Sequence, residues 1–202
     1  GERGSKVFRA VHVQQKMQVA VRIFAVPLGM TPEAKRDFAE QMERLKRLRH
    51  PGIVRCFGGG FDQRDAYLVH ELVDGESLDR LLDRRQRLSW EVVSDYGLQL
   101  CEALHFAHDN QWIHGRIRPD KLLVSRDGTT IKLSDFCRDW SASNLLQSTT
   151  KLSDLAYVAP EQLDESNETE PEVASDLYSV GAVLYHMLTG RSPFVAKNAA
   201  QM

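Results

Sequence analysis

With 202 residues, a net charge of −2, and 42% hydrophobic against 27% charged residues, the chain has the composition of a globular protein able to build one or two cores. The near-neutral balance argues against a nucleic-acid or general polyanion binder, and the three cysteines, Cys56, Cys101 and Cys137, lie far apart, so neither a zinc site nor a disulfide framework is expected. They fit a reducing interior, which makes the cytoplasm the expected location. No signal peptide is evident, and the longest uncharged run, Leu177 to Gly190, is too short to span a bilayer and reads as a buried helix.

In chain order, residues 1–26 set Val7, Ala10, Val13, Val19, Val21 and Ile23 in alternation with polar positions, which predicts antiparallel strands covered on one face. Thr31-Pro32-Glu33 then gives an N-cap with proline at the first helical position, opening a helix to about Arg49 that buries Phe38, Met42, Leu45 and Leu48. Its basic residues Arg44, Lys46, Arg47 and Arg49 read as a solvated face. Ile53 to Phe57 and Ala66 to Val69 read as strands around a turn at Gly58-Gly59-Gly60.

From Ser77 to His108 the pattern is helical, with a charged break at Asp83 to Arg87 and a serine cap at Ser89; Val93, Tyr96, Leu100, Leu104 and Ala107 face a core. His105 and His108 stand at i, i+3, a spacing that metals use, but with no third ligand evident a core or surface role is preferred. Leu122 to Val124 and Ile131 to Leu133 flank Asp127-Gly128, which predicts a β-hairpin with polar groups at both ends.

The segment around that hairpin carries the most specific motif. His114-Gly115-Arg116-Ile117-Arg118-Pro119-Asp120-Lys121 and Asp135-Phe136-Cys137 resemble the His-Arg-Asp-Leu-Lys-Pro-x-Asn catalytic loop and the Asp-Phe-Gly metal motif of eukaryotic-type protein kinases. Aligned so, Arg116 stands at the family's base, Arg118 at the loop lysine, Lys121 at the metal-binding asparagine, and Asp135 at the remaining magnesium ligand. Residues 1–10 resemble a degraded glycine-rich loop, and Val19-Ala20-Val21-Arg22 resembles Val-Ala-Ile-Lys with Arg22 at the phosphate-gripping lysine. Gln41 falls at the glutamate that pairs with that lysine. Segment 70–78 resembles the hinge, with His70 at the gatekeeper, and Tyr157 to Glu161 matches the Ala-Pro-Glu motif. Asp176 to Gly190 resembles the family's central helix, whose aspartate hydrogen-bonds the catalytic-loop backbone.

The resemblance implies an α+β, bilobal kinase-like fold: a small β-rich N-lobe with one helix over 1–70, a hinge at 71–76, and a mainly α-helical C-lobe over 77–202, the domain being incomplete at both ends. It implies an adenine site of Val7, Ala20, Leu123 and the hinge residues Glu71 and Val73, with Arg22, Arg116 and Lys121 toward the phosphates and Asp135 as a metal ligand for magnesium. The departures point elsewhere. A guanidinium at 116 does not accept protons and repels magnesium, Lys121 puts a cation where a neutral oxygen ligand belongs, and Gln41 removes an ion pair. The reading is a pseudokinase of bacterial Ser/Thr type, a scaffold or allosteric regulator of protein partners with ATP binding left open. The alternative is an active or weakly active Ser/Thr kinase.

Smaller expectations complete the picture. The activation segment holds Ser141, Ser143, Ser148, Thr149, Thr150 and Ser153, but Gly115 replaces the arginine that docks a phosphate there, so switching by that route is not expected. Asp154 stands opposite Arg118, either as a salt bridge or as a separately solvated charge. Glu161 lacks the distant arginine that the family pairs with it.

Overall fold

The computed structural model describes residues 5–25, 31–62, 65–136, 152–163 and 170–194. The glycine-rich residues before Ser5, Cys137, and the activation-segment hydroxyls from Ser141 to Thr150 fall outside them. The chain divides into two compact units: the first takes the described residues up to His50 and Val54–Leu72, the second Pro51–Ile53, Val73–Phe136 and the described residues from 152 onward.

In the first unit, β1 (Ser5–His12) and β2 (Met17–Ala25) form an antiparallel hairpin, followed by α1 (Pro32–Arg47), β3 (Cys56–Asp62) and β4 (Asp65–Glu71). The four strands make one sheet in the order β1-β2-β4-β3, antiparallel throughout. Helix α1 packs on β3 through the apolar positions that its periodicity marks: Phe38, Met42 and Leu45 are buried, as is Leu48 just beyond the helix, and Phe38 meets Phe61 at 4.6 Å between ring centroids. The covering of the sheet is thinner than the alternation predicts. Val19 is buried, whereas Val7 is 66% and Val13 86% exposed.

The glycine triplet is not a turn, which corrects the expectation from composition. Gly58, Gly59 and Gly60 lie inside β3, and the reversal comes at Asp62–Asp65. The physical reason is close approach rather than bending. A bulge between Cys56 and Gly58 leaves Gly58 at φ +145, and a Cβ on Gly59 would stand 2.6 Å from the Tyr67 carbonyl oxygen. Ile53 likewise sits outside the strand, joined to Leu133 by an isolated parallel bridge.

In the second unit, β5 (Gly75–Ser77) leads into α2 (Leu78–Arg85) and α3 (Trp90–Asp109); β6 (Leu122–Ser125) and β7 (Ile131–Leu133) form the expected hairpin, and α4 (Leu152–Leu155) precedes α5 (Val173–Thr189). The sheet order is β5-β6-β7. Val93, Tyr96, Leu100, Leu104 and Ala107 are all buried on α3, beside Leu122, Ile131, Leu133, Val183 and Met187. Helix α3 also satisfies the hairpin's backbone: Tyr96 donates to the Gly128 carbonyl at 2.7 Å, while Gln99 donates to Thr129 O and accepts from Ile131 N–H, both at 3.0 Å. Ser89 does precede α3 as its N-cap, but its hydroxyl makes no cap bond, and the first turn is closed by Val93 N–H to Ser89 O at 3.0 Å.

Candidate catalytic loop

Asp176 is the anchor. Its carboxylate, fully buried at the start of α5, accepts from His114 N–H at 2.9 Å and Gly115 N–H at 2.7 Å, and lies 2.8 Å from His108 Nε2. Burying a carboxylate is costly unless its lone pairs are met, and three donors meet them here. His108 is therefore seated on Asp176, while His105 on the exposed side lies 3.7 Å from Asp109, so the two histidines form no shared metal site.

His114 hydrogen-bonds Ser134 O through Nε2 at 2.8 Å, which places its proton there and leaves Nδ1 to accept from Arg116 N–H at 3.3 Å. Burial holds this imidazole below its ordinary pKa, against the opposing pull of Asp176. Phe136 meets its ring edge-on at 4.8 Å. Gly115 takes φ +71, and a Cβ there would stand 2.7 Å from Pro171 Cγ. The volume beside the loop that a larger side chain would enter is thus filled by proline.

The charged residues of the loop pair with one another. Arg118 lies 2.6 Å from Asp120 through Nε and donates to Asp154 at 2.9 Å through a second nitrogen, so the salt bridge to Asp154 is present. Lys121, in a 3₁₀ turn over Pro119–Lys121, sets its ammonium 2.7 Å from Asp135 Oδ2, with side-chain exposures of 10% and 16%. Ser134 clamps the turn by donating its N–H and hydroxyl to Lys121 O at 2.9 and 2.8 Å. Asp135 itself adopts φ +74, a left-handed conformation that aspartate tolerates better than most residues. Two cations, Arg118 and Lys121, are thereby interleaved with three carboxylates, Asp120, Asp135 and Asp154. Each of those carboxylates has a cationic partner within the second unit.

The remaining site residues fall as follows. Register pairs Val7 with Arg22 and Arg9 with Ala20, so Val7, Ala20 and Arg22 share one face of the β1–β2 hairpin. Gln41 makes no hydrogen bond to Arg22, and its buried Oε1 has no partner among the described residues. Glu71 gives its N–H to Arg55 O at 2.8 Å. Val73 and Leu123 are half-buried in the second unit, Leu123 paired with Lys132 across the hairpin. Glu161 accepts from Ser175 Oγ at 2.6 Å.

Sequence reasoning missed Asp120 as the second partner of Arg118, although its i+2 spacing was visible, and missed Pro171 and the His108–Asp176 contact, for which no local signal exists. It also missed Tyr157, whose hydroxyl lies 2.6 Å from His186 Nδ1 and whose pKa burial pushes up to about 12.

A family model described as the protein kinase domain matches residues 1–202. The chain belongs to the protein kinase family. Among its relatives, the serine/threonine-protein kinase PknA of Mycobacterium tuberculosis is 32% identical over 201 residues, covering 96% of this chain and 46% of that protein. A probable serine/threonine-protein kinase of Clostridium perfringens is 30% identical over 197 residues, covering 96% and 28%. The fold matches the crystal structure of Rad53 1-466 in complex with AMP-PNP, with a TM-score of 0.77 and 25% identity over 98% of this chain and 48% of that one. This kinase domain thus spans less than half the length of these relatives. Its β-rich and helical parts are the kinase-like α+β fold that the motifs imply.

Proposed function

We propose that this kinase domain is a pseudokinase, a signalling scaffold or allosteric regulator that binds protein partners and does not transfer phosphate. The observation that carries the reading is the Lys121–Asp135 ion pair. Phosphoryl transfer in this family uses ATP and magnesium, with a carboxylate base and two metal ligands. In this chain the base position is Arg116, which has no lone pair to take a proton, and the asparagine position is an ammonium bound to the other ligand. The donor set does not fit magnesium: a fixed positive charge lies at hydrogen-bond distance from Asp135.

Nucleotide binding is a separate part of the reading. Val7 and Ala20 offer an apolar wall and Arg22 a cation on the same sheet face, which supports ATP binding that does not depend on magnesium. Protein partners and a reducing, cytoplasmic setting complete the proposal. No helix among the described residues is long and apolar enough to cross a membrane.

The names of the relatives favour a second reading, an active serine/threonine kinase. Incubation with ATP, magnesium or manganese and a generic protein substrate separates the two. Phosphate incorporation abolished by Asp135→Asn supports the enzyme; its absence, with a magnesium-independent rise in melting temperature on adding ATP, supports the pseudokinase.

A further inference from the structure

A cavity of about 500 Å³ opens in the second unit among β5, α2, the start of α3 and the β6–β7 turn, and it shares no residue with the catalytic loop. Its apolar floor comes from Leu81, Leu88, Val92 and Tyr96. Leu81 and Arg85 stand at i, i+4 on α2, so one helix face brings an apolar side chain and a guanidinium to the same opening. The walls are fixed. Tyr96 and Gln99 tie α3 to the turn, and β5 approaches β6 so closely that a Cβ on Gly75 would stand 1.9 Å from Val124 O.

The charges at the rim are unequal in their commitments. Arg84 pairs with Glu76, and Arg126 lies 3.6 Å from Asp74. Asp127 already accepts from Ser125 Oγ at 2.5 Å and Thr129 N–H at 3.1 Å, bonds that hold its carboxyl below the ordinary range. Arg85 alone among the cations lining the cavity has no carboxylate within ion-pairing distance among the described residues. It nevertheless lies close enough to Tyr96 to oppose the upward push of burial on that phenol. An uncommitted planar guanidinium beside an apolar floor is suited to a carboxylate flanked by an apolar group.

We propose that this cavity docks a short peptide segment of a partner protein, one that seats a leucine- or phenylalanine-sized side chain against Leu81, Leu88 and Val92 and places a neighbouring carboxylate on Arg85. The partner's being a protein rests on the scaffold reading above, and the cavity would give that scaffold its contact surface.

The test is selection of a random heptapeptide library displayed on phage against the purified chain, followed by affinity measurement of the enriched peptides. The expected peptides carry Asp or Glu beside Leu, Ile or Phe, and Arg85→Glu weakens them about tenfold or more while melting as the parent does. Arg85→Gln, which removes the charge with less perturbation, gives an intermediate loss. Three results overturn the proposal: enriched peptides that bind Arg85→Glu undiminished, basic peptides lost instead on Asp127→Asn, or self-association of the chain that Arg85→Glu abolishes. Phosphate incorporation by the same preparation reports separately on the scaffold reading. An inactive chain without Arg85-dependent peptides loses the docking proposal alone; an active one that retains them loses the scaffold reading alone.

Discussion

Lys121 Nζ lies 2.7 Å from Asp135 Oδ2, so an ammonium built into the chain neutralises the carboxylate that the family uses to hold magnesium. An internal cation needs no ligand concentration to occupy its place. Removing one partner of such a pair leaves the other poorly solvated, at a cost of about 3–5 kcal/mol when fully buried and less here, where both side chains keep some exposure. Lys121→Met is therefore expected to lower the unfolding free energy by about 2 kcal/mol in urea titrations. Lys121→Asn, which frees Asp135 and restores a neutral oxygen, is expected to make the thermal shift with ATP larger when magnesium is added, a dependence not expected of the parent chain.

The Arg118–Asp154 contact links the catalytic loop to α4 at 2.9 Å with both side chains mostly withdrawn from solvent. A double-mutant cycle with Arg118→Met and Asp154→Ala is expected to give a coupling of about 1 kcal/mol, more than an exposed pair and less than a dry one. Asp120 shares Arg118, so Asp120→Ala raises the measured coupling by leaving Asp154 as that guanidinium's main partner.

Most of the second unit was legible in the sequence because its signals are local. The hairpin at Leu122–Val124 and Ile131–Leu133 followed from two apolar runs around Asp127-Gly128, and α3 from the spacing of Val93, Tyr96, Leu100 and Leu104. That Asp176 bonds the catalytic-loop backbone followed from its motif position, the structure adding that the amides are those of His114 and Gly115. The motif left the Arg118–Asp154 pair open between a bridge and two solvated charges, and the structure shows the bridge. The glycine triplet misled because composition records conformational freedom without recording whether it serves bending or close approach. Here the neighbouring Tyr67 backbone demands the missing Cβ at Gly59. Lys121 was legible as a charge but not as an ion pair, since its partner lies 14 residues away across a hairpin.

Gly115 and Pro171 give a steric prediction. Gly115→Arg, which restores the family's loop arginine, puts a side chain on a backbone at φ +71 and its Cβ within 2.7 Å of Pro171 Cγ. The left-handed conformation alone costs about 1–2 kcal/mol, and the contact adds to it. The variant is expected to melt several degrees lower, and the double variant with Pro171→Gly to recover part of the loss in calorimetry.

Stability should depend on pH through His114. Its folded pKa is lowered by burial, so the folded state binds fewer protons than the unfolded one around the ordinary imidazole value of 6.5. The contribution is full above that value and is lost as pH falls below it toward the folded pKa. His186, also lowered by burial, acts in the same direction but is only partly shielded. Urea unfolding at pH 7.5 and 5.5 should show lower stability at the acid value, and His114→Gln should flatten the difference.

On the pseudokinase proposal, the guanidinium at 116 and the ammonium on Asp135 leave this kinase fold without its reaction. The most direct measurement is radiolabelled phosphate transfer from ATP to a generic protein substrate and to the chain itself, with magnesium and with manganese, beside the Asp135→Asn variant. Parent and variant are expected to be alike and indistinguishable from the protein-free blank. Incorporation well above the blank that Asp135→Asn abolishes would contradict the proposal.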